Sequence, residues 1–291
     1  MLPVAGGFPG LNRLLVSKAR EKVQAKRHIY VVSRFARDDK RNGFQINCWR
    51  PVPTLQEIRV TAALLPVKEF HRSKHRLAAF LSPEERAALA RAMFDDVWDV
   101  LRKATGRTQG LDQLLVVSAE PYVLARCRAD GVACLEEAGP STHSDSVRRA
   151  TEWAISRGVI SLLSVPIDTP AMTAMEILML VGLARRHAVI VVPSADGSGT
   201  NALLRTPPDA IEPHFGPGSC RLHTEEAEKN GWDWVVVRPP GLLNDIDTAE
   251  DAEAFLSLTG TSKRQETNQA SRTVALLRQW IPSREGVPSW R

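Results

Sequence analysis

The sequence predicts an α/β fold with a mostly parallel, mixed sheet flanked by helices. Three observations carry this expectation. Short apolar runs recur from Val60 onward, segments of helical period separate them, and Gly- or Pro-containing turns close them. At 291 residues, 43% hydrophobic and 24% charged, the chain can bury one sizeable core.

The first run, Val60 to Leu65, is short, apolar and followed by Pro66, which reads as a buried strand ending at that proline. Ser82-Pro83-Glu84-Glu85 then sets an N-cap serine before a proline at the first helical position, with Glu85 at capping-box distance. Leu89, Met93, Val97 and Leu101 line one face of the helix that follows, to about Lys103. Strand Leu114 to Ser118, helix Tyr122 to Ala129, strand Val132 to Leu135, helix Ser144 to Ser156 and strand Val159 to Val165 continue the alternation. A helix from Thr173 to about Arg186, strand Ala188 to Val192, a Gly/Ser-rich turn and a strand near Ala202 to Arg205 come next. The series closes with helix Ser219 to Lys229, strand Trp234 to Arg238 and helix Thr248 to Leu258. Apolar strands alternating with amphipathic helices imply a sheet covered on both faces.

Three segments follow from this pattern: a basic N-terminal extension over 1–57, an α/β domain over 58–259, and a C-terminal tail over 260–291 holding one short helix, Thr273 to Trp280. The net charge of +5 is concentrated in the two end segments, which read as solvated tails, and nucleic acid is not expected as a partner. No apolar run approaches the roughly 20 residues that span a bilayer, and no signal peptide opens the chain, so a cytoplasmic protein without a membrane partner is expected. The four cysteines show no CxxC spacing, which argues against a zinc site or a disulfide framework.

Chemistry concentrates at predicted strand ends. In Asn244-Asp245-Ile246-Asp247-Thr248, residues two apart in extended backbone share a side, so Asp245 and Asp247 can face one hard cation such as magnesium; helix capping is the competing role. Asp168 sits just past an apolar strand between Pro166 and Pro170, where open α/β sheets bind ligands, and it too could merely cap a helix. The turns Asp196 to Asn201 and Phe215 to Ser219 offer small residues that let a backbone approach an anion. Lys68, Lys74 and Arg76 place cations beyond the first strand, as phosphoryl transfer requires.

Together, the segment from Leu64 to Val97, DGSGTNALLRTPP from Asp196, FGPGS from Phe215 and GLLNDIDTAED from Gly241 resemble the 2-phospho-L-lactate guanylyltransferase family, called CofC in archaea and FbiD in actinobacteria, which serves coenzyme F-420 biosynthesis. The resemblance spans about residues 58 to 258. It implies the nucleotide-diphospho-sugar transferase (GT-A-like) fold, and transfer of GMP from GTP to phosphoenolpyruvate or 2-phospho-L-lactate with release of pyrophosphate. By the family motifs, Asp168, Asp245 and Asp247 hold Mg2+ and act with Lys68 in catalysis. Pro66, Lys68, Lys74 and Ser146 contact the nucleotide, and Thr200, Gly216 and Ser219 bind the acid. Two segments depart from the family: His143-Ser144-Asp145-Ser146 replaces a GLN-type run, and Ile167-Asp168-Thr169-Pro170 replaces an ADLPLL-like one. A homodimer is left open. Two alternatives stay open as well: another transferase of this fold with 3-phosphoglycerate or a sugar phosphate as acceptor, and a non-catalytic nucleotide-binding relative.

Overall fold

A computed structural model describes residues 60–107, 110–137, 142–260 and 270–280. The basic segment 1–57, Cys48 and the remainder of the C-terminal segment lie outside the described residues.

Seven strands form one sheet in the order β3-β2-β1-β4-β6-β5-β7. They are β1 (Thr61–Val67), β2 (Gln113–Ser118), β3 (Ala133–Glu136), β4 (Ser161–Ser164), β5 (Val189–Pro193), β6 (Thr200–Arg205) and β7 (Trp234–Val236). The helices are α1 (Pro83–Ala104), α2 (Pro121–Asp130), α3 (His143–Ser156), α4 (Ala174–Leu183), α5 (Ser219–Lys229), the single turn α6 (Pro240–Leu243), α7 (Ala249–Gly260) and α8 (Ser271–Trp280). Two 3-10 turns, Phe70–Arg72 and His75–Leu77, follow β1. The sheet is mixed because β6 runs antiparallel to both β4 and β5. Only the turn from Ser194 to Gly199 joins β5 to β6, and a parallel crossover needs a dozen or more residues.

β1 continues through Pro66 to Val67, two residues beyond its expected end. The Val165 N–H donates to Leu64 O, so the backbone groups of Leu64, and of Pro66 two residues on, face β4. The β1–β4 pairing stops at Leu64, so the N–H that Pro66 lacks would have had no ladder partner on that side. β1 keeps its pairing with β2 through Val67.

Alternation in β1 sorts the core into two layers. Ala63, Leu65 and Val67 pack with Phe94, Val97 and Leu101 of α1, Val123 of α2, and Ile177 and Leu180 of α4. Ala62 and Leu64 face Val147, Ala150 and Ala154 of α3. Ser82 caps α1 as its sequence predicts: its side chain accepts from the Glu85 N–H, and Glu85 accepts from the Ser82 N–H. Such a cap contributes about 1 kcal/mol.

A third cluster forms where Leu89 and Met93 of α1 meet Ile246, Phe255 of α7 and Leu277 of α8. The short helix expected after residue 260 is therefore packed on α1. The buried Asp96 carboxylate accepts from both the N–H and the hydroxyl of Thr273 at 2.9 and 2.8 Å, and pairs with Arg272 at 3.1 Å. Among the described residues, no helix is long and apolar enough to cross a membrane.

Candidate active site

Because β6 is antiparallel, its first residues, Thr200 and Asn201, lie at the end of the sheet where its parallel neighbours finish. Lys68 leaves β1 at that end, Asp168 follows β4, and Asp245 and Asp247 follow α6. A cleft of about 590 Å³ opens there, and its lining includes Asp168, Thr200, Asn201, Gly216, Asp245 and Asp247 but not Lys68. This is the edge at which open α/β sheets take ligands.

One carboxylate oxygen from each of Asp168, Asp245 and Asp247 lies within 4.8 Å of the others. Buried Ile246 fixes the pair around it: its side chain enters the core and its N–H donates to Asp168 O at 2.9 Å, which leaves its two neighbours at the cleft. The competing role as helix caps falls to other residues. Thr248 caps α7, accepting from the Asp251 N–H while Asp251 accepts from the Thr248 N–H. Thr173 and Glu176 form the capping box of α4. Neither Asp168 nor Asp247 is spent on a helix end.

The Lys74 ammonium, its side chain 6% exposed, lies 2.7 Å from Asp247 Oδ1 and 3.2 Å from Asp168 Oδ2. Burial works against its charge, yet the two carboxylates outweigh that and hold its pKa above the ordinary lysine value. Lys74 reaches them from a left-handed backbone, φ 55°, at the turn between the two 3-10 segments. Arg76 stands 3.7 Å from Asp247 Oδ2. Asp245 has a raised pKa, first because it is buried and second because Asp168 is near; the Asn201 amide, donating to Oδ1 at 3.2 Å, opposes the rise. Asn201 also donates to the Leu242 and Leu243 carbonyls and so ties β6 to the loop that carries Asp245.

Lys68 belongs to a second cluster. Its ammonium donates to Ser146 Oγ at 2.8 Å and lies 3.7 Å from Glu137 Oε2, while the Ser146 hydroxyl donates to Glu137 Oε1 at 2.6 Å. His143, the first residue of α3, stacks edge-on against Phe215 with centroids 4.5 Å apart and lines the cleft. Burial pushes its pKa down to about 4. Pro66 is buried within β1 and is not among the residues lining the cleft.

The third cluster sits under the Gly-rich turn before α5. Ser219 donates its hydroxyl to Thr200 Oγ1 at 2.9 Å, and Gly216, at φ 116°, brings backbone to the cleft wall. Gly218 caps α5 at φ 77° without a side-chain bond, so the first turn of that helix keeps the positive end of its dipole toward the same region. The other Gly-rich turn is held differently. Asp196 accepts from the Ser194 and Ser198 hydroxyls and the Ser198 N–H, bonds that depress its pKa to about 2 and commit it to the turn.

Alternation along β6 thus separates two chemistries, with Thr200 facing Ser219 and Asn201 facing Asp245. Sequence reasoning passed over Asn201, Glu137 and His223. Asn201 was legible as the strand neighbour of Thr200; Glu137 and His223 carried no spacing signal.

A family model described as guanylyl transferase CofC like matches residues 61–273. The chain is 34% identical over 205 residues to a protein of Conexibacter woesei named phosphoenolpyruvate guanylyltransferase, covering 70% of this chain and 90% of that one. It is 32% identical over 215 residues to a protein of Methanothermobacter thermautotrophicus named 2-phospho-L-lactate guanylyltransferase, covering 74% and 92%. In fold it is similar to a solved structure from Desulfovibrio desulfuricans, a candidate nucleotide-diphospho-sugar transferase, with a TM-score of 0.62 at 16% identity over 76% of this chain and 95% of that one. The fold expected from the sequence is the fold observed.

Proposed function

The chain belongs to the CofC-like guanylyl transferase family, and from that membership we propose that it transfers GMP from GTP to a phosphorylated three-carbon acid and releases pyrophosphate. Phosphoenolpyruvate is the acceptor we place first, supported by the name of the Conexibacter relative; 2-phospho-L-lactate is the second reading, supported by the archaeal one. Either product would serve coenzyme F-420 biosynthesis. The observation that carries the chemistry is the convergence of Asp168, Asp245 and Asp247 beside two lysine clusters.

Three carboxylates offering oxygens within 4.8 Å fit magnesium, which takes hard oxygen ligands and shares them with substrate phosphates. When bound there, Mg2+ supplies positive charge against the phosphate oxygens of the nucleotide. The chain's own groups do the rest. Lys68 and Lys74 draw the triphosphate to the end of β1, with Pro66 shaping the strand end behind it and Ser146 holding the Lys68 ammonium in place. Thr200, Gly216 and Ser219 hold the acid so that its phosphate oxygen faces the α-phosphorus. That oxygen is already anionic near neutral pH, so no protein base is needed. It attacks in line, the bond to the β-phosphate oxygen breaks, and Lys68 stabilises the charge on departing pyrophosphate. Glu137 and Ser146 keep Lys68 from swinging into solvent.

Purified protein incubated with magnesium, each of the four NTPs and each of phosphoenolpyruvate, 2-phospho-L-lactate and 3-phosphoglycerate should release pyrophosphate with GTP and one acid. Release with another NTP alone would reassign the nucleotide. No release with any pair would remove the enzymatic reading.

A further inference from the structure

His223 is fully buried on α5, one turn beyond Ser219, under the ring of Phe215. The backbone N–H of His214 donates to its Nε2 at 2.9 Å. A ring nitrogen that accepts a hydrogen bond carries no proton, so the neutral imidazole carries its proton on Nδ1. Nδ1 lies 3.1 Å from Thr200 Oγ1 and must donate to it. Thr200 Oγ1 also accepts from Ser219 at 2.9 Å. A hydroxyl oxygen has two lone pairs, and both are now filled. The Thr200 proton therefore points away from both neighbours, and among the described residues it has no protein acceptor. Thr200 is 8% exposed and lines the cleft.

We propose that His223 is a positioning residue that fixes the Thr200 hydroxyl as a hydrogen-bond donor to an anionic oxygen of the acid substrate. The proposal rests on the assignment of the acid to Thr200 made above and deepens it. With the ring reversed in polarity, Thr200 would spend its proton on Nδ1 and present lone pairs to an anion, which repel it. The polarity is set outside the cleft by a backbone group, the His214 N–H, that cannot change its role. Burial, with the His214 ring and Arg205 nearby, pushes the His223 pKa down to about 3, so the ring keeps this neutral form through the working range.

Two measurements test it. Long-range 1H–15N correlation spectra of the free protein at pH 7.5, with His223 assigned by loss of its signals in His223→Asn, should show the Nδ1–H tautomer; the Nε2–H tautomer or an imidazolium would overturn the proposal whatever the turnover. Steady-state kinetics with GTP and phosphoenolpyruvate form the second. His223→Leu removes the donor and should raise KM for the acid about 10-fold, the scale of one hydrogen bond to a charged group, while KM for GTP holds. In His223→Asn the amide can donate from the place of Nδ1, so KM for the acid should stay within about twofold of wild type, which also serves if His223→Leu does not fold. Thr200→Val with His223→Leu should be no worse in KM for the acid than Thr200→Val alone. Additive losses, or an equal rise in both KM values, would overturn the role for His223. A wild-type protein inactive with every acid would instead sink the parent reading and the acid's place at Thr200, while leaving the tautomer result to judge the hydrogen-bond polarity.

Discussion

Lys74→Met tests the electrostatics of the site most directly, because it removes one charge and little else. The methionine keeps an unbranched apolar stem in the buried channel, and both residues bear the left-handed backbone at this position about equally, so neither a cavity nor new strain is introduced. The ammonium is 2.7 and 3.2 Å from two carboxylates, a gross attraction of about 11 kcal/mol at an effective dielectric of about 20. Desolvation of the buried ammonium offsets several kcal/mol of that, and removing one partner of a buried ion pair costs about 3–5 kcal/mol net. Asp168 and Asp247 retain 25% and 35% side-chain exposure, which lets water take over part of their solvation and places the loss near the lower figure. A loss of about 3 kcal/mol in a domain of this size lowers the melting temperature by about 6–12 °C. Calorimetry in EDTA reads this. Millimolar magnesium should then restore the variant more than it raises the wild type, by about 1.4 kcal/mol when the free ion is tenfold above its dissociation constant. A melting temperature within about 2 °C of wild type in EDTA would refute the reasoning, because the carboxylates would then not depend on Lys74 for their charge balance.

Two further outcomes follow from the same geometry. Asp245→Asn should lower kcat/KM by about 10³-fold, since several kcal/mol of charge stabilisation at the phosphates depend on that oxygen. It should not lower the melting temperature, because burial and Asp168 already disfavour the charged form of Asp245; unchanged turnover would take Asp245 out of the metal site. Stability should fall on acidification. His223 and His143 titrate at about 3 and about 4 in the folded protein, and near 6.5 when unfolded, so below pH 6.5 the unfolded chain binds more protons. Their contribution is complete above pH 6.5 and decreases as pH falls toward their folded values. Urea titrations at pH 7.5 and pH 5 should differ by up to about 4 kcal/mol from these two groups, and a flat profile would show that they are not held neutral.

Much of this molecule was legible in local patterns. The Ser82 to Glu85 segment announces the start of α1, and the alternation of apolar runs with helical periods announces the layered sheet, because caps and burial periods are decided within a few residues of chain. The Asp245-Ile246-Asp247 spacing likewise predicts two carboxylates on one side of an extended strand, and Ile246 in the core between them is the physical counterpart. Whether those carboxylates or the neighbouring threonines would cap helices was not legible, since Asp and Thr serve equally at that position; the folded chain gives the caps to Thr248 and Thr173. Pro66 read as the end of β1, when in fact its missing N–H falls on the side where pairing with β4 has already stopped.

The site itself was assembled by tertiary structure. Lys74 meets Asp168 and Asp247 across 94 and 173 positions of chain, and Thr200 meets His223 only because α5 folds back over the start of β6. Strand order and direction set those meetings: the short turn after β5 forces β6 antiparallel, and that reversal brings Thr200 and Asn201 to the ligand end of the sheet. Residue types and their local periods are written along the chain. Which of them converge depends on register and packing, which no local period specifies.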